Sequence, residues 1–105
     1  MGRAENKVAS VLVELTELHG GFAEKVHNEG RVGCPDYVIT LPPGAFNQQA
    51  AQRRVETKAK NGVVSPMQQY YHAQLYKRGV VVFIPRSVED VVRWFDLGWP
   101  EVKHV

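Results

Sequence analysis

Two carboxylates and an amine, Asp36, Glu56 and Lys58, have the types that metal-assisted hydrolysis needs, although they are separated along the chain. Glu56 and Lys58 fall in the run Arg53-Arg54-Val55-Glu56-Thr57-Lys58-Ala59-Lys60. Side chains alternate across a strand, so Val55, Thr57 and Ala59 take one face and Arg54, Glu56, Lys58 and Lys60 the other. A wholly charged face in so small a protein is either open to water or lines a working cleft. The first reading makes it an exposed edge whose Glu-Lys pair contributes only ~0.2–1 kcal/mol. Asp36 favours the second. It stands at the mouth of the apolar run Tyr37-Val38-Ile39-Thr40-Leu41, where a charge has no packing role, though a Pro35-Asp36 turn would also account for it. Antiparallel pairing of the two strands could bring Asp36 close to Glu56, in a register that the sequence alone does not fix. Two adjacent carboxylates repel unless a cation lies between them, and hard oxygen ligands suit Mg²⁺ or Mn²⁺. Such an ion acidifies water and stabilises the charge that builds up in phosphoryl transfer. Lys58 would then orient the attacking water or neutralise developing charge.

Other residues are candidates beside a plainer alternative. Glu5 continues the buried stripe of the first helix at its N-terminal end, facing the site or complementing the helix dipole. Gln68 has the position of a capping-box residue, and its carboxamide could also bond a phosphate or a water. Arg53, Arg54, Lys58 and Lys60 lie within eight residues, a patch able to meet phosphates or a solvated strand edge. Lys25 is either a DNA contact or simply exposed. His19, His27, His72 and His104 share no ligand spacing and receive no role. Tyr70 and Tyr71 read as helix packing.

The elements that must position these groups follow from periodicity and breakers. Val8, Val11, Leu12, Leu15 and Leu18 recur at helical spacing, predicting a helix from about Arg3 to His19 stopped by Gly20-Gly21. A short strand is expected over Phe22–His27, an interior strand over Tyr37–Leu41, a loop over Pro42–Gln52 and the charged strand over Arg53–Lys60. Ser65-Pro66-Met67-Gln68 starts a helix expected to run to about Arg78 and end at Gly79. Val80–Ile84 reads as a second buried strand. Ser87 opens a last helix with Val88, Val91, Val92 and Phe95 on one face, ended by Gly98, and the tail from Trp99 carries no pattern. The order α-β-β-β-α-β-α predicts an α/β fold: a mixed sheet flanked by helices, with the third and fourth strands parallel.

Composition narrows the class. A chain of 105 residues, 44% apolar and 23% charged, suits one domain spanning 1–105. Its formal net charge of +2 does not by itself announce nucleic-acid binding. Cys34 is the single cysteine, which fits a reducing compartment, and no CxxC or HxxxH spacing suggests structural zinc. No signal-peptide pattern opens the chain and no apolar run is long enough for a bilayer, so a cytoplasmic location is expected.

Taken in order, Glu5, Gly20-Gly21-Phe22-Ala23-Glu24-Lys25, Gly33-Cys34-Pro35-Asp36, Val55-Glu56-Thr57-Lys58, Gly62-Val63-Val64-Ser65-Pro66-Met67-Gln68, Gly79-Val80-Val81-Val82 and Ser87-Val88-Glu89-Asp90 resemble the VRR-NUC family of the PD-(D/E)xK nuclease superfamily. The resemblance covers nearly the whole chain. It implies a restriction-endonuclease-like αβββαβ core with a C-terminal helix added. It implies that Asp36 and Glu56 bind Mg²⁺ or Mn²⁺, that Thr57 lends a backbone carbonyl, and that Glu5 completes the ligand set. Lys58 would act on the water, Gln68 would join the catalytic group, and Lys25, Arg53, Arg54 and Lys60 would meet DNA. The expected activity is divalent-metal-dependent endonucleolytic hydrolysis of DNA, duplex or branched, by a homodimer of phage or bacterial type needing no small-molecule cofactor. The alternative is a non-catalytic DNA-binding module of the same fold, or a subunit that cuts only with a partner. One departure is the stretch from Pro42 to Gln52, longer than the tight hairpin the family pattern leads one to expect.

Overall fold

The computed structural model describes residues 3–26, 36–42 and 51–99, with the side chains of residues 3–5 and 51 outside that description. Helix α1 spans Arg3–Leu18, followed by strands β1 (Phe22–Lys25), β2 (Tyr37–Leu41) and β3 (Ala51–Val55). Helix α2 (Pro66–Lys77), strand β4 (Val82–Phe83) and helix α3 (Val88–Leu97) complete the order. The strands form one mixed sheet in the order β1-β2-β3-β4, antiparallel except for the parallel pair β3–β4 that α2 connects. This is the α/β architecture expected from the sequence.

Alternation along β2 turns Ile39 and Leu41 inward, where they meet Val8 and Leu12 of α1, Val55, Phe83, and Val91 and Phe95 of α3. α1 and α3 therefore cover one face of the sheet. The stripe predicted for α1 buries Val8 and Leu12 and half-buries Val11 and Leu15, but Leu18 is exposed, since it lies in the last turn beyond the sheet.

Helix ends behave as their residues dictate. Ser65 accepts a hydrogen bond from the Gln68 amide while the Gln68 side chain accepts one from the Ser65 amide, a reciprocal capping box with Pro66 in the first turn. Ser87 caps α3 through the Asp90 amide, and Asp90 in turn accepts from the Arg86 amide. At the other end of α3, Gly98 takes φ +74°, and the amides of Gly98 and Trp99 reach back to the carbonyls of Phe95 and Trp94. That is a Schellman termination, which sets the residue after the glycine against the last turn of its own helix. Trp99 is thereby swung into the core. It is 1% exposed and packs edge-on against Phe83 and Phe95, with Trp94 alongside at 5.6 Å between ring centroids. No pattern in the sequence of the tail announces this burial: Trp99 belongs to the protein's own core.

Three strands are shorter than expected. β1 ends at Lys25, with Val26 still donating to the Asp36 carbonyl, and the rest of the segment expected to His27 lies outside the described residues. β4 is two residues rather than five. β3 begins at Ala51, inside the stretch taken as a loop, and ends at Val55 rather than Lys60. Close approach governs one junction. A Cβ on Gly21 would lie 2.1 Å from the Thr40 carbonyl oxygen, so the α1–β1 turn rests directly on β2 and admits no side chain there. No helix of the described residues is long and apolar enough to cross a membrane.

Candidate metal centre

The site is assembled where β3 runs on past its last regular residue. The amides of Glu56 and Lys58 donate to the carbonyls of Phe83 and Pro85, so alternate amides from 56 to 58 lie along the β4 segment in the rhythm of the parallel pair. This explains the correction to the expected charged strand. Beyond β3 the chain continues beside β4 with α2 against Glu56, and Glu56 and Thr57 are both buried, so this stretch is not an exposed edge. Arg86 braces the turn that follows, its guanidinium donating to the carbonyls of Ala59 and Gly62.

Tyr37 pairs with Val55 in the antiparallel register of β2 and β3, so Asp36 and Glu56 each lie directly beside the last pair, and their carboxylates lie close enough to interact. The long connection between these strands does not disturb that register. Asp36 Oδ2 accepts from both the amide and the hydroxyl of Thr57, at 3.1 and 2.9 Å. Thr57 thus fixes the Asp36 carboxylate, a task that reading it only for its carbonyl overlooks.

Glu56 is 2% exposed. Its Oε2 accepts from Gln68 Nε2 at 3.0 Å and lies 4.0 Å from Lys58 Nζ. Gln68 is therefore the capping-box residue expected from the sequence, its oxygen closing the box, while its nitrogen donates to the Glu56 carboxylate, a contact the sequence reading did not include. Glu56 Oε1 is buried without a hydrogen-bond partner among the described residues, and His72 Nε2, equally buried and unpartnered, stands 3.8 Å from it. His72 gains no role from histidine spacing in the sequence. Its signal was its place four residues after Gln68 on one helix face.

Burial pushes the Glu56 carboxyl above its usual range, and the neighbouring Asp36 charge pushes the same way, against the opposing pull of His72 and Lys58. In the metal-free protein the folded state thus holds a proton that the unfolded chain releases near 4.5. That contribution to stability is complete below the unfolded value and is lost as pH rises through the elevated folded value. Melting temperatures of wild type and Glu56→Gln, compared across pH in the presence of a chelator, should diverge over that window. The variant gains relative stability as pH rises. Parallel curves would contradict the assignment.

A carboxylate offers about four lone-pair positions. Glu56 uses one in a hydrogen bond, is removed from water and faces a second carboxylate, which is the setting a hard divalent cation relieves. The residues present therefore fit such an ion. Among the described residues no group of three or more acid, imidazole or thiol side chains converges as a ready cage. Glu5 belongs to α1, but its side chain is outside the described residues.

The basic candidates do not form a common patch. Arg54 pairs across the sheet with Val38 and Val82, on the side where Glu56 follows. Arg53 pairs with Ile39 and Lys25 with Tyr37, and so project from the opposite side. Lys60 is exposed in the turn beyond. Alternation separates neighbours that look clustered in the linear sequence. Tyr70, expected to pack, is 62% exposed, and with Tyr71, Gln74, Leu75 and Arg78 it lines a shallow surface depression on α2.

No protein-family model matches the chain, and no relative is found among curated proteins. Among solved structures, one described as "VRR_NUC domain" superposes with a TM-score of 0.75 at 32% identity, covering 88% of this chain and 94% of the other. A second, "VRR_NUC domain protein", has a TM-score of 0.66 at 17% identity over 93% and 89%, a likeness of fold. With the first match at that identity over nearly both full lengths, this chain belongs to the VRR_NUC domain family.

Proposed function

We propose that the protein is a divalent-metal-dependent endonuclease that hydrolyses phosphodiester bonds in DNA, with Asp36, Glu56 and Lys58 at the reaction centre. The reading rests on one observation above all: Asp36 and Glu56 adjoin just beyond the last β2–β3 pair while Lys58 and Gln68 converge on the Glu56 carboxylate. Membership of the VRR_NUC family supports the nuclease class.

Asp36, Glu56 and the Thr57 carbonyl would hold Mg²⁺ or Mn²⁺, with Glu5 as a further ligand. Once bound, the ion supplies Lewis acidity toward the phosphoryl oxygens and acidifies water. The chain's own residues do the rest. Lys58 orients the attacking water and offsets the negative charge that grows on the non-bridging oxygens. Gln68 holds Glu56 in place. Water's oxygen bonds to phosphorus and releases a proton to solvent, one P–O ester bond breaks, and the departing alkoxide takes up a proton from solvent. Arg54 and Lys60, on the site's side and in the adjoining turn, are the basic residues best situated to meet the strand, whereas Lys25 and Arg53 project elsewhere.

Incubating linear, flapped and four-way DNA with the protein and Mg²⁺ or Mn²⁺ tests the proposal. Metal-dependent cutting is expected, strongest on branched DNA. Binding without cleavage under either ion would overturn it in favour of a DNA-binding module.

A homodimer is part of the same reading, since a two-fold pair matches the symmetry of a duplex or junction and lets so small a body grip both strands. Of two candidate surfaces, the tyrosine-bearing helix α2 and the tail with Trp94 and Trp99, the exposed α2 surface around Tyr70 is the better placed, since Trp99 is taken up by the core. Sedimentation at micromolar concentration should give particles of twice 11.8 kDa. Only single-chain particles would remove the dimer from the account.

A further inference from the structure

α2 is an unusual helix for its position. It connects two adjacent parallel strands, yet the only residue it buries is a histidine. A connecting helix ordinarily covers its sheet with an apolar stripe. Here Gln68 and His72, one turn apart on one face, address the two oxygens of one carboxylate: Gln68 Nε2 reaches Oε2 at 3.0 Å, and His72 Nε2 lies 3.8 Å from Oε1. Both facing atoms of the second pair are buried and lack partners among the described residues. Buried donors and acceptors left unmade are costly, and closing this gap by about 1 Å would satisfy both at once. An apolar residue would fill the same space without that cost, so a packing role does not explain the choice.

The geometry points to His72 as a positioning residue: with the ring proton on Nε2, it holds Glu56 Oε1 while Gln68 holds Oε2, setting the carboxylate's orientation for the cation. The inference rests on the proposed function for its consequence but not for the contact itself. Groups that orient a metal ligand in this way typically change metal affinity 10–100-fold when removed.

The first test needs no metal. In ¹⁵N-labelled, metal-free protein the His72 ring should be protonated at Nε2, and Glu56→Gln should shift its ring resonances. A ring protonated at Nδ1 alone, or resonances indifferent to Glu56→Gln, would overturn the proposal even if the nuclease reading stood. The second test is calorimetric titration with Mn²⁺. His72→Phe, which keeps a ring in the space, should bind at least tenfold more weakly than wild type, and His72→Gln, which restores an N–H donor, should recover most of the loss. Equal affinity in wild type and His72→Phe would reduce His72 to packing. A wild type that binds no Mn²⁺ would instead defeat the metal reading, while the ring resonances still decide the contact.

Discussion

Replacing Glu56 by Ala, or Asp36 by Asn, should lower metal-dependent DNA cleavage on the order of a thousandfold while leaving the fold intact. The magnitude reflects how much a pre-organised charge contributes in a site shielded from water. Removal of a single well-placed hydrogen-bond donor to a developing oxyanion typically costs about 10²–10³ in rate, and a lost metal ligand also forfeits the ion. The two positions act through one ion, so the double variant should be little worse than either single one. Glu56→Ala removes a buried acceptor from Gln68 and a repulsive neighbour from Asp36, effects that oppose each other in stability. Its melting temperature is therefore expected to stay near or above that of the metal-free wild type. Single-turnover rates on a junction substrate at saturating Mn²⁺, read beside thermal melts, measure both. Cleavage within tenfold of wild type in either variant would displace the assigned centre.

The largest effect on stability belongs to a residue outside the site. Trp99→Ala should destabilise the protein by about 3–5 kcal/mol, the usual range for emptying a large aromatic position in a core. Trp99 is almost fully buried and joins Phe83 of β4 to Phe95 of α3 in edge-on aromatic contacts. Its indole nitrogen, however, is buried without a hydrogen-bond partner among the described residues, a cost that a phenyl ring does not carry. Trp99→Phe should accordingly lose much less than Trp99→Ala. Urea unfolding of both variants gives the comparison. A Trp99→Ala protein within 1 kcal/mol of wild type would mean that the Schellman turn at Gly98 does not anchor the C-terminal end of α3 as described.

Both cases mark where reading the chain works and where it stops. Element types were legible wherever local rules act alone. The apolar period of α1, the capping box at Ser65 and the glycine stop at Gly98 each determine their structure within a few residues. The destination of Trp99 was not, since a hydrogen-bonded turn, and not a hydrophobic period, directs it inward. At the site, the types and order of Asp36, Glu56 and Lys58 were readable, but their proximity depends on the β2–β3 register across a long connection. The extent of the charged strand differs from expectation for a related reason. Alternation is a rule about directions and says nothing of what lies above each face, and only the tertiary fold sets α2 over Glu56. His72 is not legible from spacing, because its partner is no other imidazole but a carboxylate sixteen residues earlier in the chain.

Calorimetric titration of the intact protein with Mn²⁺, repeated on Asp36→Asn, addresses the central claim most directly. Saturable heat from the wild type that is abolished in the variant, with both proteins folded, is the result expected of two carboxylates sharing a cation. Undiminished binding in Asp36→Asn, or no binding in the wild type, would contradict it.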